Sequence, residues 1–398
     1  MALGIYISVP FCRTKCSYCN FTSDVFSRAV FQRYVDRVCA DIAGARQLGD
    51  EMGGGQIEPE VDSIYLGGGT PTVLEPGQLR RIFDAVRAQF SVELDAEITV
   101  ECAPGTLAPS VVDGLLACGV NRVSLGVQSF VDREAAAVGR LHKRSTILED
   151  VARLRAAGIS NLNIDLIAGL PHQTAESWQE SLSETLATGA PHVSVYMLEV
   201  DEGSRLGREV IAGGTRYHAH FVPDEEATAD FYLAACEQLE AAGVAQYEIS
   251  NFARPGSESR HNLKYWTRQP YLGFGVDAHS MLVSASPDAE AVRFATADAL
   301  EKYVTGSPSQ KTVVSGEAAL EETFFLGLRQ NRGVDLRGVA ATFGHKILDD
   351  LRLTIAELIG DELLQQKDHC ICLTPRGRLL SNDVFQAFLA PRIGSRSI

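Results

Sequence analysis

The regular alternation of short apolar segments with amphipathic ones is the feature that most restricts how this chain can fold. Leu3, Ile5, Ile7 and Val9 alternate with small or polar residues, a period of two that predicts a β-strand over residues 3–9. Five further strands are predicted at residues 61–66, 96–100, 121–127, 161–167 and 192–198, separated by predicted helices at residues 28–48, 77–90, 110–117, 145–157 and 175–188. Strands joined in series by helices form a parallel sheet covered by helices. The sequence therefore predicts an α/β protein built on a barrel or on part of one.

The remaining sequence predicts an extension of this sheet and a second, smaller domain. A helix at residues 224–242 and a strand at residues 246–250 continue the pattern, whereas the glycine-rich residues 271–279 predict a buried loop. After residue 307 the pattern changes to helices at residues 317–329, 337–343 and 346–359, a strand at residues 370–373 and a turn at residues 374–377. We expect a barrel domain with its extension over residues 1–285, and a mainly helical, winged-helix-like domain over residues 310–392.

Charge and hydropathy exclude several classes of partner and location. The net charge is −15 and the pI is about 5.1, so the sequence does not predict a nucleic-acid-binding surface. No apolar run reaches the ~18 residues of a transmembrane helix, and the N-terminus lacks the basic and then apolar layout of a signal peptide. Six of the nine cysteines lie outside the motif described next, and most of these six lie in or beside apolar runs, as reduced structural cysteines do. We therefore expect a cytoplasmic protein without a transmembrane segment.

Three cysteines, Cys12, Cys16 and Cys19, follow the first predicted strand with the spacing C-x3-C-x2-C. Three thiolates leave one iron of a [4Fe-4S] cluster without a protein ligand, and that iron can bind a small molecule. A zinc knuckle or a disulfide pair is the alternative. Residues 20–22 supply no fourth Cys or His for zinc, and intracellular enzymes seldom keep disulfides. The spacing resembles that of the radical S-adenosylmethionine (SAM) superfamily, in which SAM binds the fourth iron.

Polar residues and glycines fall at the ends of successive predicted strands, where the loops of a parallel barrel converge. Each alone is explained by a turn, a cap or a structural hydrogen bond, but together they suit SAM. Glycine backbone and Thr70 can approach its ammonium group, Glu101 and Asp165 can accept hydrogen bonds, and Arg140 can bind a carboxylate. The residues that suit SAM in this way are Gly68, Gly69, Thr70, Glu101, Gln128, Arg140 and Asp165, and Tyr6 lies within the first predicted strand.

Five segments resemble one family within this superfamily, the oxygen-independent coproporphyrinogen III oxidases, and within it the HemW branch of heme chaperones. They are residues 6–12 (YISVPFC), 67–72 (GGGTPT), 126–130 (GVQSF), 163–171 (NIDLIAGLP) and 261–266 (HNLKYW). The resemblance implies an incomplete (β/α)6 barrel with a C-terminal domain. It also implies a cluster on Cys12, Cys16 and Cys19, SAM at the eight residues named above, and heme that is handed to heme-accepting proteins.

Two departures from the oxidases favour the chaperone branch. The oxidases carry a further cysteine, C-x3-C-x2-C-x-C, where this chain has Phe21, and they carry an N-terminal extension before the first strand. We therefore expect heme binding and transfer. The alternative is a radical SAM coproporphyrinogen III dehydrogenase, which removes two propionate carboxyl groups to form protoporphyrinogen IX. An iron-sulfur protein without small-molecule chemistry would leave the residues at the strand ends unexplained.

The segment at residues 261–266 carries a further candidate site residue, His261. Tyr265 and Trp266 can simply anchor the barrel to the following domain, with His261 capping a turn. The resemblance favours a heme role instead. In that interpretation His261 binds heme iron, the aromatic side chains cover the porphyrin, and Arg254, Arg260 or Lys264 meets the propionates.

Overall fold

The computed structural model of this chain describes residues 2–307 and 309–389, and six parallel strands form its centre. They are neighbours in sequence order: β1 (Leu3–Val9), β2 (Glu60–Gly68), β3 (Ser91–Cys102), β4 (Arg122–Gln128), β5 (Asn161–Ala168) and β6 (His192–Met197). The connecting helices are α1 (Phe31–Ala43), α2 (Ala45–Glu51), α3 (Pro76–Gln89), α4 (Pro109–Ala117), α5 (Asp132–Ala137), α6 (Arg144–Ala156) and α7 (Ala175–Thr188). The predicted barrel architecture is confirmed.

The two faces of this sheet differ in polarity because the side chains of a strand alternate. Apolar residues such as Ile5, Ile64, Val100 and Leu125 are fully buried in one large core that also contains apolar side chains of the covering helices. The opposite face carries buried polar side chains, including Ser63, Thr99, Arg122, Ser124, Asn163 and Ser194. A barrel whose interior is polar binds ligands more readily than one filled by branched apolar residues.

Short strands extend the sheet at both edges. On one side, β7 (Ala245–Gln246) pairs with β8 (Asn251–Ala253), which runs antiparallel to β6. On the other, β9 (Tyr271–Gly275) lies parallel to β1 and is followed by β10 (His279–Val283), β11 (Ala291–Ala295) and β12 (Gln310–Val314). The helices of this region are α8 (Arg205–Ile211), α9 (Glu225–Ala241), α10 (Arg260–Trp266) and α11 (Leu300–Thr305). None of the helices in the described part of the chain is both long and apolar enough to cross a membrane.

Three local predictions for the barrel part of the chain are wrong. Of the strand predicted at residues 246–250, only Gln246 lies in a strand, β7, and the following residues connect β7 to β8 with an isolated bridge from Glu248 to Gln330. The predicted buried loop at residues 271–279 contains β9, because a Cβ at Gly273 would lie only 2.1 Å from the carbonyl oxygen of His279 and glycine permits that approach. The single helix predicted at residues 28–48 is divided at Gly44, a poor helix former that caps α1.

A second apolar core lies in the C-terminal part of the chain. Its elements are α12 (Gly316–Gly327), β13 (Val334–Asp335), α13 (Leu336–Phe343), α14 (Lys346–Gly360), β14 (Leu364–Lys367), β15 (Cys370–Leu373), α15 (Pro375–Leu379) and α16 (Ser381–Leu389). The three strands form a small sheet in the order β13-β15-β14, and Phe324 stacks on Phe388 with ring centroids 4.5 Å apart. The predicted turn at residues 374–377 is wrong, since Thr374 caps α15 there. The predicted domain limits stay a proposal, and residues 390–392 lie outside the described ranges.

Candidate functional site

The loop of residues 10–24, here called the cluster loop, carries the three cysteines at the C-terminal end of β1. Backbone hydrogen bonds pin both of its ends, from Cys12 N to Asp24 O (3.0 Å) and from Asp24 N to Pro10 O (2.9 Å). Phe11 is fully buried and stacks on Phe31 at 3.9 Å between centroids. The loop is therefore anchored to the core on either side of its cysteines, although no regular element contains them.

Cys16 and Cys19 lie close enough to Cys12 within this loop to affect its ionisation. Burial raises the pKa of the Cys12 thiol, and the neighbouring Cys19 and Cys16 raise it further. Thr70 Oγ1 lies 4.0 Å from Cys12 Sγ, and Arg140 Nη1 lies 3.6 Å from Cys16 Sγ. Hydrogen-bond donors placed around thiolate sulfurs stabilise the charge of a metal-bound thiolate.

This donor set suits a cluster better than a single metal ion. Within the described residues, no three His, Cys, Asp or Glu side chains are placed to hold one ion. The three thiolates of a four-iron cluster bind three different irons, so their sulfur atoms stand farther apart than the ligands of one zinc ion. The alternative of a disulfide is not realised, since Cys12, Cys16 and Cys19 are free thiols.

The glycine run after β2 packs directly against the cluster loop. Gly69 N donates to Val9 O and Thr70 N donates to Phe11 O, both at 2.7 Å. A Cβ at Gly69 would lie 2.6 Å from Phe11 O and 3.0 Å from Cys12 Sγ, closer than real Cβ atoms approach. Gly68 has φ of +100°, in the left-handed region that favours glycine. The backbone at Gly69 therefore packs closer to the cluster loop than a residue with a side chain would allow.

Glu101 and Asp165 place two buried carboxyl groups inside the barrel. Glu101 accepts hydrogen bonds from Gly68 N (3.1 Å) and from the Tyr65 hydroxyl (2.9 Å). Burial, and then the charge of Asp165, raise the pKa of Glu101 to about 7. Burial also raises the pKa of Asp165, which accepts from Ser124 Oγ at 2.9 Å. Two interacting carboxyl groups in a buried site are stabilised as carboxylates by a bound cation.

Gln128 and Arg140 complete the open end of the barrel. Gln128 has a left-handed φ of 68°, and its Oε1 is buried without a hydrogen-bond partner among the described residues. Arg140 donates to Gly126 O from one nitrogen and contacts Cys16 Sγ with another. An orphaned acceptor beside a guanidinium fits a ligand that carries both an ammonium and a carboxylate group, as SAM does.

Tyr6 and His261 lie deeper in the barrel than the other predicted site residues. The ring of Tyr6 is 6.1 Å from that of Tyr65 and 6.3 Å from that of His261, centroid to centroid. The cysteines, the glycine run, Glu101, Gln128, Arg140 and Asp165 are thus brought together at one end.

His261 belongs to the floor of the barrel, which α10 closes. Its Nδ1 is 3.1 Å from Ser63 Oγ and its Nε2 is 2.8 Å from the Tyr265 hydroxyl, and the side chain is 1% exposed. Burial lowers its pKa to about 3. With both ring nitrogens bonded, His261 has none free for heme iron in this arrangement. Its role as a heme ligand stays a prediction that requires α10 to move.

Two of the three cations predicted to meet the heme propionates have other partners. Lys264 Nζ lies 2.8 Å from Asp62 Oδ1, and Arg260 Nη1 donates to Asp95 O at 2.7 Å. The third, Arg254, is exposed. The guanidinium of Arg329 lies over the indole of Trp266, 4.4 Å from its ring centroid. These contacts fit the alternative interpretation, in which the segment anchors the barrel to the C-terminal part.

Sequence analysis missed the polar layer beneath Glu101 and Asp165. Asn163 donates to Asp165 Oδ1 at 2.7 Å and lies 2.7 Å from the Nδ1 of the fully buried His192. Glu97 accepts from the backbone nitrogen of His261 at 3.2 Å. The sequence pattern could have revealed this polar layer, because these polar residues recur at every second position of strands whose other positions are apolar.

Comparison with known proteins agrees with this geometry. The model described as "Radical SAM superfamily" matches residues 6–184, and that described as "HemN C-terminal domain" matches residues 314–380. A protein named heme chaperone HemW from Bacillus subtilis is 33% identical over 392 residues, covering 96% of this chain and 98% of the relative. Heme chaperone HemW from Escherichia coli is 30% identical, with 98% of each chain covered.

The similarity extends to a mouse protein and to a solved structure. The mouse relative, radical S-adenosyl methionine domain-containing protein 1, mitochondrial, is 34% identical over 91% of this chain and 80% of its own. Coproporphyrinogen III oxidase (HemN) from Escherichia coli, described as a radical SAM enzyme, superposes with a TM-score of 0.81 at 25% identity, covering 97% of this chain and 90% of the other. The free cysteine triad, the barrel and the similarity over nearly the full length together show that the chain belongs to the HemW family of heme chaperones within the radical SAM superfamily.

Proposed function

We propose that this chain is a cytoplasmic [4Fe-4S]- and SAM-binding heme chaperone, which binds heme and transfers it to acceptor proteins. The observation that carries the proposal is the set of three free thiols pinned beside backbone amides at the open end of a polar barrel. The names of relatives that match almost the whole chain support the heme part.

The residues divide the work of binding between them. Cys12, Cys16 and Cys19 would hold the cluster, which when bound supplies an iron site for the amino and carboxylate groups of SAM. The backbone of Gly68 and Gly69, which no side chain covers, would approach that site, and Thr70 and Arg140 would support the thiolates. Glu101 and Asp165 accept hydrogen bonds and balance the positive charge of SAM, and Gln128 offers its unpartnered oxygen.

A radical SAM coproporphyrinogen III dehydrogenase is the second candidate, and the TM-score of 0.81 against the Escherichia coli oxidase is the observation in its favour. Against it, the position of the oxidases' further cysteine is held by Phe21, whose side chain is 66% exposed. A phenylalanine there supplies neither a thiol nor a hydrogen-bond donor to the site.

The two functions are separated by parallel assays on protein reconstituted under anaerobic conditions. We expect a defined Soret band when hemin is added, heme transfer to an apo-hemoprotein, and no consumption of coproporphyrinogen III in the presence of SAM and a reductant. Formation of protoporphyrinogen IX that depends on SAM would establish the dehydrogenase instead. Absence of stoichiometric hemin binding would refute the chaperone.

Binding of SAM is expected to release protons near neutral pH. The pKa of Glu101 is about 7 because of burial and Asp165, so at about pH 6 the empty site holds a proton on this group that cationic SAM should displace. Calorimetry in buffers of different ionisation enthalpy should report up to about one proton per SAM at pH 6, declining as the pH rises above 7. Glu101→Gln should abolish this proton release and weaken SAM binding while keeping the cluster.

The same pKa fixes the sign of the stability change of the SAM-free protein. The folded pKa of Glu101 lies above its unfolded value, so the folded state binds more protons and stability falls as the pH rises from about 4.5 to 7. Asp165, Tyr65 and Arg122 are the charged or titratable groups that act on Glu101.

A SAM affinity that is equal in the wild type and in Glu101→Gln would remove this residue from the site.

A further inference from the structure

A crevice of about 600 Å³ lies behind the cluster loop and outside the barrel interior. It is bounded by that loop, by the end of α5 and the turn after it, and by α8 with the 3-10 helix Arg216–Phe221. Ser17 N donates to Val138 O at 3.0 Å and Leu206 N donates to Ser17 O at 2.8 Å, which ties these segments together. Its volume lies in the range typical of small-molecule sites.

The charge of the crevice is opposite to that of the chain. The net charge is −15, yet no Asp or Glu lines the crevice while Lys15 and Arg205 do. Neither cation forms an ion pair with any described residue, although Lys15 Nζ donates to Phe21 O and Ser23 O, and Arg205 donates to Lys15 O. The buried Nε of Arg205 and the hydroxyl of Ser17, a residue that is 4% exposed, have no hydrogen-bond partner in the described part of the chain. These two unpartnered donors, beside two cations without a carboxylate partner, suit an anionic ligand with oxygen acceptors.

Three hydrogen-bonded side chains, Arg133, His172 and His218, form a series that ends in a donor at the crevice. Arg133 Nη2 is 3.0 Å from His172 Nδ1, and His172 Nε2 is 3.1 Å from His218 Nδ1. A guanidinium only donates, so Nδ1 of His172 accepts and its Nε2 carries the hydrogen that is donated to His218. A neutral His218 then carries its own hydrogen on Nε2. His218 is thus a donor and not a metal ligand.

His220 differs from His218 in having both ring nitrogens free. Neither forms a hydrogen bond with any described residue, and the ring lies 4.0 Å from that of Phe221, centroid to centroid. Phe221 is 45% exposed and is also flanked by His172 at 4.1 Å. An imidazole with a free nitrogen beside an exposed aromatic ring is a suitable ligand for the iron of a flat aromatic molecule.

The backbone holds these rings in place by an unusual conformation. Tyr217 and His218 have left-handed φ values of 55° and 62°, and His172 has 70°. Residues with a Cβ rarely adopt this region without support from the surrounding structure. His172 N donates to Phe221 O at 2.9 Å, and the Arg205 guanidinium lies 5.4 Å from the Tyr217 ring centre. The histidines are therefore positioned by tertiary contacts.

Building on the proposed function, we propose that this crevice binds heme, with His220 as the iron ligand and with Arg205, Lys15 and the Nε2–H of His218 facing the propionates. Small apolar side chains, Ala136, Ala137 and Val138, and the rings of Tyr217 and Phe221 cover the porphyrin. No residue of the SAM site lines the crevice, so heme and SAM occupy separate places on either side of the cluster loop.

Hemin and iron-free protoporphyrin IX, titrated into the reconstituted full chain, separate the two kinds of contact. His220→Ala should weaken hemin binding by about tenfold or more and shift the Soret band, while leaving the affinity for the iron-free porphyrin unchanged. His218→Ala should weaken the binding of both, because it removes a contact to the carboxylates. His345→Ala is the matched control, since that exposed histidine caps no helix through its side chain. Iron and sulfide content should equal the wild-type value in all three variants.

Different failures of this experiment have different meanings. Hemin titrations of His220→Ala that match the wild type would overturn the assignment of the crevice and leave the chaperone function standing. Loss of the Soret band in His261→Gln together with its retention in His220→Ala would place the heme iron at α10 instead. A wild-type chain that binds no hemin would refute the proposed function, and the crevice assignment with it.

Discussion

Replacing Cys12, Cys16 or Cys19 with serine is expected to reduce the iron and sulfide content of the reconstituted protein to background. Each cysteine is one of only three protein ligands, and a serine hydroxyl binds iron far more weakly than a thiolate. Within the cluster loop no other thiol or imidazole lies between residues 10 and 24 to replace a lost ligand. Binding of SAM should be lost in the same variants, because its iron site is lost.

The control for this experiment is a cysteine of similar exposure outside the loop. Cys39 is partly buried on α1 and its thiol lies 3.6 Å from Arg81 O. Cys39→Ser should keep full iron content and lower the free energy of unfolding by about 1 kcal/mol. A complete four-iron cluster in all three loop variants would contradict the assignment, whereas a loss of iron in Cys39→Ser would show that the assay reports general instability.

The strands that carry this site were predictable because their apolar residues follow a simple period. Strand β1 begins and ends where the alternation from Leu3 to Val9 does, and α7 begins at Ala175 as predicted. Strand β9 was not predictable in this way, because Gly273 and Gly275 contribute no side chain to the pattern. It pairs with β1 through backbone contacts that only the tertiary structure brings together.

The positions of the candidate site residues in the barrel were predictable, but their hydrogen-bond partners were not. The chain order shows that Glu101 lies near the end of the third strand and Asp165 in the fifth, and parallel strands bring such positions to one end of a barrel. The bond from Gly68 N to Glu101 and the raised pKa of that carboxyl group depend on burial and on neighbours far away in the sequence. Periodicity contains no information about either.

His261 shows what a motif leaves out when it is considered without its surroundings. Its neighbours in sequence, Lys264, Tyr265 and Trp266, are residues that heme sites use, but the partners that decide its state are Ser63 and Glu97 on distant strands. The histidines of the crevice show the same limit of sequence analysis, because their partners are distant in the sequence. His172 and His218 are 46 residues apart, and no pattern in the sequence links them.

Replacing Gly69 with alanine should have a large effect on the candidate site, because the added methyl group would meet the cluster loop. The new Cβ would lie 2.6 Å from Phe11 O, 2.9 Å from Val9 O and 3.0 Å from Cys12 Sγ, and two of these three atoms belong to the backbone. Backbone cannot rotate away as a flexible side chain can, so the glycine run and the cluster loop must separate. The bonds from Gly69 N to Val9 O and from Thr70 N to Phe11 O would lengthen with them.

We therefore expect Gly69→Ala to lose most of its cluster and its SAM binding, and to lower the free energy of unfolding by about 1–3 kcal/mol. Gly77→Ala is the matched control, because a Cβ at Gly77 in α3 meets nothing within 4 Å and alanine favours a helix by about 0.5–1 kcal/mol. Iron content, SAM calorimetry and melting temperature measured on both variants separate the local clash from the general effect of an added methyl group. Should Gly69→Ala keep wild-type iron and SAM affinity, the close packing of the glycine run on the cluster loop would not be required for either ligand, and the amides of residues 68–70 would have to be removed from the site.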